Sequence, residues 1–133
     1  MKGITTPVMF VAGSVDDVAG YEKGTRAIYQ AAVNADRYLL TFINANHNAA
    51  APIPAPAETY VPAEPGKPAA FAHYADAVWD TVRMNNILDH FATAYFDLYL
   101  KGEQDKQSYF ENWKGFKRGT TAGLTLDHAA PAK

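Results

Sequence analysis

Cysteine is absent from this chain of 133 residues, and serine occurs only twice, at Ser14 and Ser108. The first absence excludes a disulfide framework, thiolate catalysis and cysteine-ligated zinc. The second leaves very few hydroxyls of that kind for nucleophilic chemistry. An excess of charge of either sign is also missing. Twelve Lys and Arg against fourteen Asp and Glu leave a formal charge of −2, so there is no electrostatic reason to expect nucleic acid or an anionic membrane surface as a partner. No apolar run approaches the ~20 residues of a membrane span, and Met1 to Gly3 is not followed by a signal-peptide core. What remains is 48% hydrophobic and 20% charged, the composition of an ordinary globular domain. The length suits one domain.

Near the start of the chain stands TPVMFVAGSVDD (residues 6–17). Residues 7–12 form a continuous apolar run bounded by turn residues, which reads as a strand buried on both faces. Residues 21–33 read as a helix, with Tyr21, Ile28 and Ala31/Ala32 at helical spacing and with Gly20 and Gly24 weakening the first turn. RYLLTFI (residues 37–43) is a second run rich in strand formers. Strand, helix and strand make one α/β crossover unit with two parallel strands.

Six of the eight prolines fall between Asn44 and Pro68, which argues against regular structure there, above all over 48–68. Such a loop reads either as a solvent-exposed Ala/Pro linker or as part of a binding rim, since it starts at a histidine. Residues 71–100 are helical in two pieces, a short one over 71–78 and a long one starting near Asp80. Asp80 is a good N-cap. The long piece carries Ile87, Phe91, Ala94/Tyr95 and Leu98 down one face and stops at Gly102. An aromatic segment follows (Tyr109, Phe110, Trp113, Phe116), and residues 119–133 read as a loose tail. The expected organisation is thus a domain over 1–118 and a flexible tail over 119–133. A two-stranded sheet is marginal in water, so the inventory also implies association with something or membership of a larger sheet.

Asp16 lies at the carboxyl end of the first expected strand, and His47 lies just past the end of the second. Open α/β sheets bind ligands outside the carboxyl ends of their strands. Both groups should therefore reach one rim, where a carboxylate can fix the tautomer of an imidazole and stabilise its protonated form. The bland alternative is a loop aspartate capping the next helix and a solvent-facing histidine. Asp17 competes with Asp16 for the acid role.

GSVD (residues 13–16), then about thirty residues, then a strand ending in NANHN (residues 44–48) resembles the last third of an α/β-hydrolase, whose triad runs Ser, then Asp or Glu, then His. MNNILDHFATAYFDLYLKG (residues 84–102) resembles the closing helix of dienelactone hydrolase-like members, and HYADAVWDT (residues 73–81) strengthens the likeness. The resemblance covers roughly residues 4–111. It implies the C-terminal portion of a hydrolase sheet, with Asp16 as triad acid, His47 as general base and ester or related acyl hydrolysis through a serine acyl-enzyme. The spacing of the family ranks Asp16 ahead of Asp17. The departure is that no G-x-S-x-G elbow is present. Ser14 sits between Gly13 and Val15, where a local turn or cap bond is expected, and Ser108 follows Gln107 near the tail.

The nucleophile and oxyanion-hole amides would thus lie on an upstream segment, and this chain alone should not turn over an ester. Its expected partners are a small-molecule ester once that segment completes the site, and either the missing N-terminal part or a second copy. The competing function is a non-catalytic oligomerisation or interaction module. No cofactor is expected. His73 and Asp76, three apart on a helix, with His90 make only a weak metal pattern. His90 should be packed within its helix and His128 solvated in the tail. Tyr74, Trp79, Tyr95, Phe96 and Tyr99 fit a helix core. Asn44, Asn46 and Asn48 flank His47 either as turn formers or because one of them orients the histidine loop.

Overall fold

The computed structural model describes residues 1–111, 113–116 and 123–132. Strand β1 (Val8–Gly13) is followed by a wide π-type turn at Tyr21–Thr25 and a short helix α1 (Arg26–Ala31). Gly24 breaks the helical path with φ −104° and ψ −105°, and a Cβ there would lie 2.3 Å from the Ala19 carbonyl oxygen. The helix expected over 21–33 is therefore split, because a glycine is needed where the chain passes so close to itself. Strand β2 (Arg37–Phe42) runs parallel to β1 in unshifted register, Val8 beside Arg37 through Gly13 beside Phe42. This crossover unit makes the molecule an α/β arrangement.

Two expectations are corrected on the far side of β2. Residues 124–129 are not a loose tail but a third strand, β3 (Leu124–Ala129), antiparallel to β2. The sheet is thus three-stranded and mixed, in the order β1-β2-β3, rather than two parallel strands. The tail boundary expected at 118/119 lies outside the described residues. The physical reason is alternation. Leu124 and Leu126 pack against the core while Thr125 and Asp127 are exposed, the period-two signature of an edge strand with one wet face. His128 continues the inward row. It stacks on Tyr38, with ring centroids 4.4 Å apart and 5° between planes, and its Nε2 lies 2.7 Å from Asp36 Oδ1. It is held in place, not simply solvated.

After a loop containing one 3-10 turn (Ala57–Tyr60) and a second (Ala70–Tyr74), the long helix α2 (Thr81–Leu100) crosses the sheet. The short helix expected over 71–78 is only the 3-10 turn, so His73 and Asp76 do not share a helical face. Asp80 caps α2 by accepting from the Arg83 amide at 2.7 Å, and Gly102 ends it with φ +75°. Met84, Ile87, Phe91, Ala94 and Leu98 form its buried stripe, facing Tyr38, Leu40 and Phe42 of β2. Phe110, Trp113 and Phe116 close the same core. Phe96 departs from the expected helix core, being 53% exposed. No helix among the described residues is long and apolar enough to cross a membrane.

Candidate active site at the carboxyl ends of the parallel strands

β1 and β2 end in register, so the loops that follow them leave the sheet side by side. Their closeness depends on Gly13. A Cβ at this position would lie 2.3 Å from both the Ala45 and the Asn46 carbonyl oxygens, so only glycine lets the two loops touch. The Val15 amide then donates to the Ala45 carbonyl at 3.1 Å, and the Asn44 amide donates to Ser14 Oγ at 2.8 Å. Ser14 therefore bridges the two loops instead of bonding within its own turn. Asn44 (φ +63°) and Ala50 (φ +59°) bend the second loop back over the strand ends.

This arrangement brings Asp16 and His47 together. The His47 Nδ1 lies 3.1 Å from each oxygen of the Asp16 carboxylate. The neutral imidazole in this setting carries its proton on Nδ1 and donates it to the carboxylate. Asp16 Oδ1 also accepts from the Val18 and Ala19 amides, both at 2.9 Å. Burial pushes the Asp16 carboxyl up. The His47 hydrogen bond, the two amides and the imidazole charge outweigh it and hold the group below its ordinary value. Asp16 is therefore ionised at neutral pH. Its side chain is 7% exposed and that of His47 44%, so the acid is enclosed while the ring opens to solvent. Nε2 of His47 has no hydrogen-bond partner among the described residues. The ring borders a cavity of about 550 Å³ together with Asp17, Val18, Asn48 and His73.

Asp17 is not part of the pair. Its amide donates to Asn46 Oδ1 at 3.2 Å, and the residue borders the cavity. Asn46 is the residue that orients the histidine loop, because the same Oδ1 also accepts the His47 amide at 2.6 Å. Asn48 ties the loop outward, donating to the Ala72 carbonyl at 2.9 Å. The start of the proline-rich loop therefore lines the rim, while Ile53 is pinned to α2 through Asn85 at 3.2 Å. In the sequence alone Asn46 reads equally as a turn former or as the residue that orients the histidine loop, and Gly13 has no assigned role. A glycine at a strand end, opposite a second loop, was the available signal for it.

The remaining histidines lie elsewhere. His90 is packed among Phe91, Tyr109 and Phe116, with ring centroids 5.0 to 5.2 Å away, and burial lowers its pKa. His73 borders the cavity, and His128 sits at the opposite end of the sheet. Among the described residues no group of three or more His, Asp or Glu could hold a metal ion. No family model, no curated protein and no solved structure matches the chain.

Proposed function

We propose that the chain is the C-terminal part of a dienelactone hydrolase-like α/β-hydrolase, in which Asp16 and His47 are the acid and the general base of a serine triad. The observation that carries this reading is the Asp16 carboxylate held against Nδ1 of His47, while Nε2 has no hydrogen-bond partner among the described residues and the half-exposed residue borders an open cavity. A free Nε2 is the atom that must take a proton from a nucleophilic hydroxyl. The serine and its oxyanion-hole amides are supplied by residues outside this chain, since neither Ser14 nor Ser108 lies in an elbow.

The steps then follow. The serine Oγ attacks the ester carbonyl carbon as its proton passes to Nε2, forming a tetrahedral oxyanion. Asp16 stabilises the imidazolium that results. The Nε2 proton is delivered to the leaving alkoxide as the C–O bond breaks, leaving an acyl-serine. A water molecule repeats the sequence, with Nε2 as base, and releases the carboxylic acid.

The test is complementation. Purified alone, the chain should hydrolyse a short-chain aryl ester at the background rate. Co-expressed with a segment carrying a G-x-S-x-G elbow from an adjoining reading frame, it should gain turnover that His47→Ala abolishes. Asp16→Asn should lower that turnover by a factor on the order of 10⁴. Turnover by the chain alone that disappears in His47→Ala would overturn the missing-nucleophile argument. The absence of any adjoining elbow would count heavily against the hydrolase.

A second reading, a non-catalytic association module, is favoured by the outer edge of β1. That edge has no strand partner among the described residues. VMFVAG carries no charge and no proline, the features that normally guard an edge. A second copy paired antiparallel about Phe10 would set Met9 against Val11 and bury no charge.

A further inference from the structure

Two aspartates on opposite sides of His47 use the same local device. In DDVA (residues 16–19) one oxygen of Asp16 accepts the amides two and three residues on, those of Val18 and Ala19. In DAVW (residues 76–79) Oδ1 of Asp76 accepts the amides of Val78 and Trp79, both at 2.9 Å. In each case the turn fixes the carboxylate and leaves the second oxygen free to reach across space. The second oxygen of Asp16 reaches the His47 ring, which its Oδ1 approaches equally at 3.1 Å, and Oδ2 of Asp76 goes to the Asn46 amide at 2.8 Å.

Asn46 passes this contact on. Its Oδ1 accepts the amides of both His47, at 2.6 Å, and Asp17, at 3.2 Å. The histidine loop is thus gripped from both flanks, at the ring by the loop after β1 and at the backbone by the segment leading into α2. No ladder holds this loop, since β2 ends at Phe42. Beyond its own turns and the backbone bond from Val15 to Ala45, its path depends on side-chain clamps. We propose that Asp76 is a positioning residue for His47, acting through Asn46 to hold the imidazole with Nδ1 on Asp16 and Nε2 toward the cavity.

The proposal rests on the reading of Asp16 and His47 as a catalytic pair, but its consequence is structural and can be read without turnover. Asp76→Ala removes every acceptor. Asp76→Asn keeps the shape and offers one oxygen. That oxygen is retained by the turn, where it meets two amides, so the amide nitrogen of the new side chain faces the Asn46 N–H and the bridge is lost.

The experiment is multiple-bond ¹H–¹⁵N spectroscopy of the histidine rings at about pH 8.5, above the ordinary histidine range, with amide hydrogen exchange at Asn46 and His47. Asp80→Ala serves as the control, because it removes the α2 cap and costs comparable stability without touching the loop. In the wild type the His47 ring should show the Nδ1–H tautomer. In Asp76→Asn, and in Asp76→Ala if it folds, Nε2–H should become populated. The Asn46 amide, which loses its acceptor, should exchange about tenfold faster, the factor expected for one lost hydrogen bond, and the His47 amide should exchange faster with it. Asp80→Ala should leave both signals unchanged. A folded Asp76→Asn with an unaltered His47 tautomer and exchange rate would overturn the proposal, as would an equal change in Asp80→Ala. Failure of ester complementation would remove the catalytic reading and leave these signals as they are.

Discussion

The Asp16 carboxylate accepts from two backbone amides and one ring nitrogen at once, and this links chemistry to stability. Its pKa is lowered in the folded state, so its contribution is complete above the unfolded value and is lost as pH falls through the folded one. Asp76 obeys the same sign: burial raises its carboxyl, but the amides of Asn46, Val78 and Trp79 bring it below the ordinary value. Urea midpoints measured from about pH 5 to about pH 2 should therefore fall less steeply in Asp16→Asn than in the wild type. His90 works over a different range. Burial lowers its pKa from 6.5, so the folded state binds the proton less readily than the unfolded chain. Stability is then lost as pH falls from the ordinary value through the lowered one. His90→Gln should flatten the change in urea midpoint between about pH 7.5 and about pH 5. At this scale the sequence offered Asp16 and Asp17 as rivals. The family spacing ranks Asp16 first, and in the structure it is Asp16 whose carboxylate meets the His47 ring.

Among the elements, α2 was the most legible, because its signals are local. Asp80 stands before the first turn, the apolar stripe recurs at helical spacing, and Gly102 closes it. Asp80→Ala should cost about 1 kcal/mol in thermal or urea unfolding. Phe91, which is 0% exposed, should cost ~3–5 kcal/mol when cut to alanine. The loops at the strand ends make a different demand. Gly13→Ala puts a methyl into two carbonyl oxygens 2.3 Å away, which forces the loops apart. It should lower the melting temperature and disturb the His47 ring signals together. β3 is not legible in the sequence, because its two leucines sit among Gly, Thr, Ala and Pro, a composition that reads as tail. What makes it a strand lies elsewhere in the chain: Tyr38 beneath His128, Asp36 beside it, and Trp79 against Gly123. His128→Ala should speed amide exchange across β3 while leaving β1 unchanged.

For the whole molecule, the unsettled surface is the β1 edge and the α2 face beside it. Phe96 is 53% exposed and Leu100 78% exposed, and both border small apolar cavities next to β1. Glutamate at both positions should change monomer stability by no more than ~0.5 kcal/mol, as at ordinary surface sites. If a second copy covers this face, sedimentation should show a wild-type dimer and a monomeric double variant. If the face awaits the segment that carries the serine, the double variant should instead weaken complementation of ester hydrolysis. The same surface separates the two functions because it lies beside the strand that delivers Asp16.

The sequence by itself determined the parts whose physics is local. The two apolar runs became parallel strands, Asp80 and the apolar stripe became a capped helix, and the strand ends carried Asp16 and His47 to one rim. Only the tertiary structure decided the third strand, the contact of the Asp16 carboxylate with the His47 ring, and the clamp that runs from Asp76 through Asn46 to His47. Each of these depends on hydrogen bonds or packing between groups about thirty or more residues apart along the chain. Propensity and periodicity describe a residue's neighbours in sequence. They do not say which distant carboxylate, ring or leucine row will be opposite it when the chain closes.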